Sequence, residues 1–232
     1  MSANHYKTIY QKHAPTYQEM ISYEDIDGNL PRALEQIASF SGATALDLGS
    51  GTGRMPMLFP EANFTCLDLH LGMLQENKRQ RQITKGSWAL LQADGRLLPI
   101  ASNSFKIITA GWAFGHFTRW YPGIWKIEID RVLKEMHRAA CSDARIIILE
   151  TMTTGGFEPA PPHEGLAAYY QHLENEHGLT RQVITTDFLF DNLEQACKYA
   201  AFFFGEELAK KIRENNWVRL PEWTGIWSKR VQ

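Results

Sequence analysis

Residues 43–53, Ala-Thr-Ala-Leu-Asp-Leu-Gly-Ser-Gly-Thr-Gly, constrain this chain more than any other stretch. The run Ala43–Leu48 is mostly apolar, short and followed by glycine, which predicts a strand buried on both faces. Gly49, Gly51 and Gly53 come next at alternate positions, and a helix is expected to start near Arg54. Glycine reaches positive φ and lets a ligand come close to the main chain. Strand, glycine turn and helix together predict a cradle for a nucleotide-type ligand, with helix N–H groups at its mouth. The spacing departs from the dinucleotide pattern Gly-x-Gly-x-x-Gly, because the third glycine comes one residue early.

The chain has 232 residues and a formal charge of −2, which suits one domain with a sizeable core. It has no basic tail and no Lys/Arg-rich block, so nothing draws it in general to nucleic acid or anionic membrane. The start, Met-Ser-Ala-Asn-His-Tyr-Lys, lacks the apolar core of a signal segment, and no apolar run reaches membrane-spanning length. Cys66, Cys141 and Cys197 are odd in number and widely spaced. They suggest reduced, mostly buried thiols rather than a zinc site or a disulfide framework. The expectation is a cytoplasmic chain without a metal site. The sequence leaves its oligomeric state open.

Along the chain, segments 1–40 read as helical turns broken at Pro15, then a helix from Pro31. A second strand, Asn63–Asp68, ends on a carboxylate able to accept hydrogen bonds from both hydroxyls of a ribose. A helix over 71–81 and a strand over 88–93 follow, then the turn Asp94-Gly95. Lys106–Gly111 is a fourth strand, and beyond it runs the aromatic loop Trp112-Ala-Phe-Gly-His-Phe-Thr-Arg-Trp-Tyr. In an open α/β sheet, ligands sit beyond the carboxyl ends of the strands, near the switch point. His116 is the one base in that loop with a pKa near neutrality, and is either a general base or a structural ring. A helix over 124–140 precedes a fifth strand, Arg145–Glu150. Residues 151–180 lose periodicity and form an insertion whose helix, 166–177, carries Tyr169 and His172. His163, Tyr169 and His172 are candidates for substrate contact or plain surface residues. A sixth strand over 182–190, one capped helix from Asp191 to about Glu214 with Phe202–Phe204 in its core face, and a seventh strand over 223–230 complete the chain.

The pattern Asp47-x-Gly49-x-Gly51-x-Gly53 resembles motif I of the class I S-adenosylmethionine (SAM)-dependent methyltransferases. Asp68, and Asp94-Gly95 before a Leu-Pro step, stand where that family's next two cofactor segments stand, and Tyr10–Tyr17 resembles its tyrosine-bearing leader. The likeness covers roughly residues 10–232 and is nearest to the type 11 small-molecule branch, which includes quinone C-methyltransferases. It implies an α/β fold: a Rossmann-like three-layer sandwich around a seven-stranded, mostly parallel sheet in the order 3-2-1-4-5-7-6. The last strand would be antiparallel and form a hairpin with the sixth. It implies SAM as cofactor, S-adenosylhomocysteine (SAH) as product and a small-molecule methyl acceptor.

The glycine loop with Asp47 would wrap the methionine part, Asp68 and Leu69 the ribose, and Asp94 with Gly95 the adenine. Tyr17 would be a lid over the cofactor, with residues 1–40 as a lid segment and 151–180 as a substrate wall. Gly111 and Trp112 would stand where donor methyl and acceptor meet, and aromatic faces suit a sulfonium. No Asn-Pro-Pro-Tyr motif follows strand four, which argues against amide methylation, and no acidic metal cluster appears late in the chain. The competing readings are a SAM-binding scaffold or sensor without turnover, a tRNA or protein methyltransferase, and a nicotinamide-dependent oxidoreductase.

Overall fold

A computed structural model describes residues 3–232; residues 1 and 2, where the expected lid segment begins, lie outside the described residues. The chain opens with three helices, α1 (Ala3–Lys12), α2 (Ala14–Ile21) and α3 (Asn29–Ile37). Strand and helix then alternate: β1 (Thr44–Leu48), α4 (Arg54–Leu58), β2 (Asn63–Asp68), α5 (Leu71–Ile83), β3 (Ala89–Gln92) and β4 (Phe105–Gly111). A 3-10 turn at Phe114–His116 leads into α6 (Phe117–Trp120), followed by α7 (Trp125–Ala139) and β5 (Ala140–Thr154). The last third holds α8 (Glu164–Asn175), β6 (Thr180–Thr185), β7 (Phe188–Leu189), α9 (Leu193–Phe203), α10 (Glu206–Glu214), β8 (Arg219–Leu220) and β9 (Glu222–Arg230).

The main sheet has seven strands in the order β3-β2-β1-β4-β5-β9-β6. Strands β1 to β5 pair in parallel, and β9 runs antiparallel to both of its neighbours. With β9 as the seventh strand of the sheet, this is the expected order. The inner strands are near-continuous apolar runs because helices cover both faces. On one face Leu46, Ile108, Ile146 and Ile148 meet Ile129, Val132, Leu133 and Met136 of α7. On the other, Ala45, Ile107, Ile147 and Leu149 meet Leu30 and Leu34 of α3 and Met55 of α4. A third cluster joins Met20 of α2 to Tyr199 of α9 and Ile212 of α10, beside the β7–β8 ribbon. This binds the two ends of the chain into one cap. Among the described residues no helix is long and apolar enough to cross a membrane.

Several boundaries differ from expectation, each for a tertiary reason. The expected strand 182–190 is two strands. Between them Thr186 N–H bonds the Glu222 carbonyl at 2.9 Å, its hydroxyl shares a 2.7 Å hydrogen bond with that of Thr224, and the chain then leaves the sheet to pair with β8. The expected single helix 191–214 is broken at Gly205, whose φ of 106° and ψ of 168° are not helical. The last two sheet strands are antiparallel neighbours, but α9, α10 and the ribbon intervene, so they form no tight hairpin. Strand β5 runs four residues past Glu150, to Thr154, because β9 continues to pair with it as far as Glu222. Pro15 lies inside the first turn of α2, and the break it was expected to make falls two residues earlier, at His13.

Candidate functional site

The glycine loop at the end of β1 has three left-handed residues, Gly49 (φ 65°), Gly51 (φ 51°) and Gly53 (φ 98°). A Cβ on Gly49 would lie 2.6 Å from the Ala113 Cβ, and one on Gly53 2.7 Å from the Asn77 Oδ1. A Cβ on Gly51 would meet nothing nearer than 4.0 Å. The outer two glycines therefore serve close packing, and the middle one leaves open space above the loop. Helix α4 has only five residues, and the Gly53 N–H is already bonded to the Ser50 carbonyl at 2.9 Å. The expected array of N–H groups at a helix mouth is thus small.

Asp68 does something its position in the sequence did not suggest. Its Oδ2 accepts from the Gly51 N–H at 2.9 Å and its Oδ1 from the His70 N–H at 2.7 Å. The end of β2 thereby holds the loop that follows β1. A carboxylate has about four lone-pair sites, so the same group can still receive a ribose. Burial raises its pKa, with the two N–H groups opposing. Asp47 is buried, and its Oδ1 accepts from the Thr109 hydroxyl at 2.7 Å. Burial pushes it up to about 7, and that hydroxyl works against the rise.

One cleft is lined by Gly49, Gly51, Asp68, Leu69, Asp94, Gly95, Gly111, Trp112, His116 and Tyr17. Ten of the expected residues thus come together at the carboxyl ends of β1, β2 and β4. Asp47 lines a small recess beside it, with Tyr17 and Arg54, and Gly53 packs beneath the loop. The Asp94 carboxylate is gripped by the Arg96 guanidinium, at 2.9 Å from Nε and 2.6 Å from Nη2, and Arg96 continues to Glu128 of α7 at 2.6 Å. That grip holds Asp94 below the usual carboxylate range.

Past Tyr17, Trp112 and His116 the cleft meets a second cavity of about 200 Å³. Its wall includes Tyr10, the start of the tyrosine-bearing segment, and residues that carried no role in the sequence reading: Glu24, Arg54, Glu150 and Glu222. Phe203 and Phe204, expected in a helix core, line it too. Glu150 carried a readable signal, since it closes an apolar run as Asp68 does. Glu24 and Glu222 come from opposite ends of the chain, and no local pattern marks them. Trp112 takes φ 51° and lies under the Arg54 guanidinium at 4.8 Å, while Arg54 pairs with Glu24.

His116 Nε2 sits 2.8 Å from the Tyr10 hydroxyl, and the ring stacks on Trp120 at 4.9 Å. Burial among these rings pushes its pKa down to about 4, so it is neutral at physiological pH. His163 accepts from the Leu166 N–H at 3.2 Å, capping α8, and lines the second cavity. Tyr169 is fully buried, 3.4 Å from Glu150. His172 lies elsewhere. Its Nε2 and that of His177 both stand near the Asp130 Oδ1, at 2.7 and 2.8 Å. This is the one group of His, Cys, Asp and Glu among the described residues whose atoms converge closely enough for a metal. The shared carboxylate satisfies both rings. The buried His172 Nδ1 has no hydrogen-bond partner among the described residues, and such an outer bond normally orients a metal-bound imidazole.

Residues 46–148 match the family described as Methyltransferase domain. Malonyl-acyl-carrier-protein O-methyltransferase of Legionella pneumophila is 25% identical over 139 residues, 58% of this chain and 45% of that one. Demethylmenaquinone methyltransferase of Lactobacillus johnsonii is 29% identical over 153 residues, 62% of this chain and 59% of that one. The matched regions thus span about half the length of these curated relatives. The crystal structure of the YcgJ protein of Bacillus subtilis shares the fold with a TM-score of 0.60 at 14% identity, covering 88% of this chain and 99% of that one. The sheet order, the loop and the domain match agree, and over residues 46–148 the chain is similar to the methyltransferase domain family.

Proposed function

We propose that this chain binds SAM in the glycine-loop cleft and transfers its methyl group to a small molecule held in the adjoining cavity. The observation that carries this reading is the shared wall. Tyr10, Tyr17, Trp112 and His116 border both spaces, so two ligands would meet at the end of β4. The residues fit the group: open space over Gly51, spare acceptor capacity on Asp68 and aromatic faces at the junction. SAM supplies a methyl carbon made electrophilic by the sulfonium. Asp68 would hold the ribose, Asp94 and Gly95 the base, and Asp47 with the loop the methionine end. Tyr10 of α1 and Tyr17 of α2 would form the lid that excludes water, and positioning is the chief contribution of the protein. The named relatives act on different acceptors, so neither name passes to this chain.

Thermal unfolding with and without SAH tests the reading. Ligand at about 100 times its dissociation constant adds roughly 2.7 kcal/mol, which for this size is about 5–10 °C. A shift of that order with SAH and none with NAD is expected. A shift with NAD alone would move the chain to the oxidoreductase reading. No shift with either would leave a scaffold.

A further inference from the structure

The second cavity buries carboxyl groups that methyl transfer as such does not need. Glu24 is balanced by Arg54. Glu150 within β5 and Glu222 at the start of β9 are 5% and 2% exposed, and both line the cavity. Glu150 Oε1 accepts from the Gly115 N–H at 2.8 Å. Glu222 is less well satisfied, because its Oε2 is buried with no hydrogen-bond partner among the described residues. An unpaired buried acceptor costs about 1–3 kcal/mol, so a ligand that donates to it would account for its presence. Aromatic rings complete the wall, among them Tyr6, Phe188 and Phe203 beside Tyr17 and Trp112. Their faces attract a cation. Arg119 also reaches this cavity but is exposed, towards the solvent side.

Resting on the methyl-transfer reading above, we infer that the acceptor is a small organic amine that arrives as its ammonium. Glu222 and Glu150 are its counter-ions within an aromatic box. Burial raises the pKa of both carboxyls, which favours their protonated forms in the unliganded chain. A sulfonium donor and an ammonium acceptor place two positive charges beside them, and those charges draw both into the carboxylate form that offsets the pair. The ammonium gives one proton to the Glu150 carboxylate, which frees the nitrogen lone pair. That pair forms the N–C bond as the S–C bond breaks, and the bonding electrons of the latter remain on sulfur. The products are a thioether and an N-methylammonium, and Glu150 passes its proton to solvent, one per methyl transferred. Burial pushes Glu150 up to about 8, near the range in which it can exchange a proton with an alkylamine.

The test uses the whole chain saturated with SAH and three probes of similar shape: benzylamine, benzyl alcohol and benzoate, titrated by calorimetry. Benzylamine is expected to bind at least ten-fold more tightly than the other two. Glu222→Gln should weaken benzylamine by about ten-fold or more, the loss of a charge-assisted contact, and leave SAH affinity unchanged. With methyl-labelled SAM the labelled product should be N-methylbenzylamine. Equal or tighter binding of the alcohol or benzoate overturns the inference, as does an amine affinity unchanged in Glu222→Gln or no amine binding at millimolar concentration. The probe comparison on the unsubstituted chain stands even if the variant folds poorly. If benzylamine binds but SAH does not, the methyl-transfer reading falls and the amine site remains. If SAH binds and benzylamine does not, the amine inference falls alone.

Discussion

The three loop glycines are under three different pressures. Gly53 has both a left-handed φ and a neighbour, Asn77, that its Cβ would strike. Asn77 also donates to the Gly51 carbonyl at 3.2 Å and accepts from the Trp88 indole at 2.7 Å. Gly51 has the left-handed φ but free space. Gly51→Ala is therefore expected to fold, at a strain cost of about 1–2 kcal/mol, and to lose SAH affinity because the new methyl fills the cradle. Gly53→Ala should cost more stability than Gly51→Ala, since a buried hydrogen-bonded side chain must also move. Urea unfolding and SAH titration of both variants check this. A Gly51→Ala chain that keeps full SAH affinity would put the ligand elsewhere. The motif could be read without a fold because the residues at 47 to 53 are consecutive. The division of labour among them was hidden, since Ala113 and Asn77 reach the loop from β4's far end and from α5.

Elements near the carboxyl edge of the sheet were the hardest to place. The apolar content of 182–190 suits one strand, and that of 191–214 suits one helix. Backbone geometry divides both. Gly205 sits in a region of φ and ψ that is essentially reserved for glycine. Its elbow folds α10 back against α9, and the end of α9 brings Phe203 to the second cavity. Gly205→Ala is expected to destabilise the chain by about 1–3 kcal/mol, seen as a lower urea midpoint at an unchanged slope. SAH affinity should hold, because the elbow walls only the acceptor side. A variant as stable as the parent would mean that the elbow tolerates an ordinary residue. By contrast, β1 and β2, which have nothing special at their ends except glycine or acid, fell within a residue of expectation.

At the scale of the whole molecule, buried acids make stability depend on pH. Asp47 is held near 7 and Glu150 near 8, against ordinary values of 3.8 and 4.5. Between those limits the native chain holds protons that the unfolded chain has lost. Stability from these groups is therefore complete below about pH 4 and falls as pH rises towards 8, by up to about 1.4 kcal/mol per pH unit per group. His116 works the other way: lowered from 6.5 to about 4, it adds stability as pH rises through that window and nothing above it. Above pH 6.5 only the decline remains. The melting temperature is expected to fall between pH 6.5 and 8, and Glu150→Gln should flatten that fall. A parent chain that grows more stable over this range would show that these carboxyls are ionised in the fold.

The sequence by itself determined the sheet order expected by resemblance, the buried inner strands and the glycine loop after β1. These rest on short apolar runs, turn glycines and carboxylates at strand ends, which are features of neighbours along the chain. Tertiary structure alone decided what surrounds the cradle. It set Asp68 under Gly51, tied Arg96 to Glu128, placed Tyr10 on His116, and brought Glu24, Glu150 and Glu222 into one cavity. Those groups lie tens to nearly two hundred residues apart in the chain. Their hydrogen bonds, burial and shifted proton affinities depend on distance in space, which no local pattern of residues encodes.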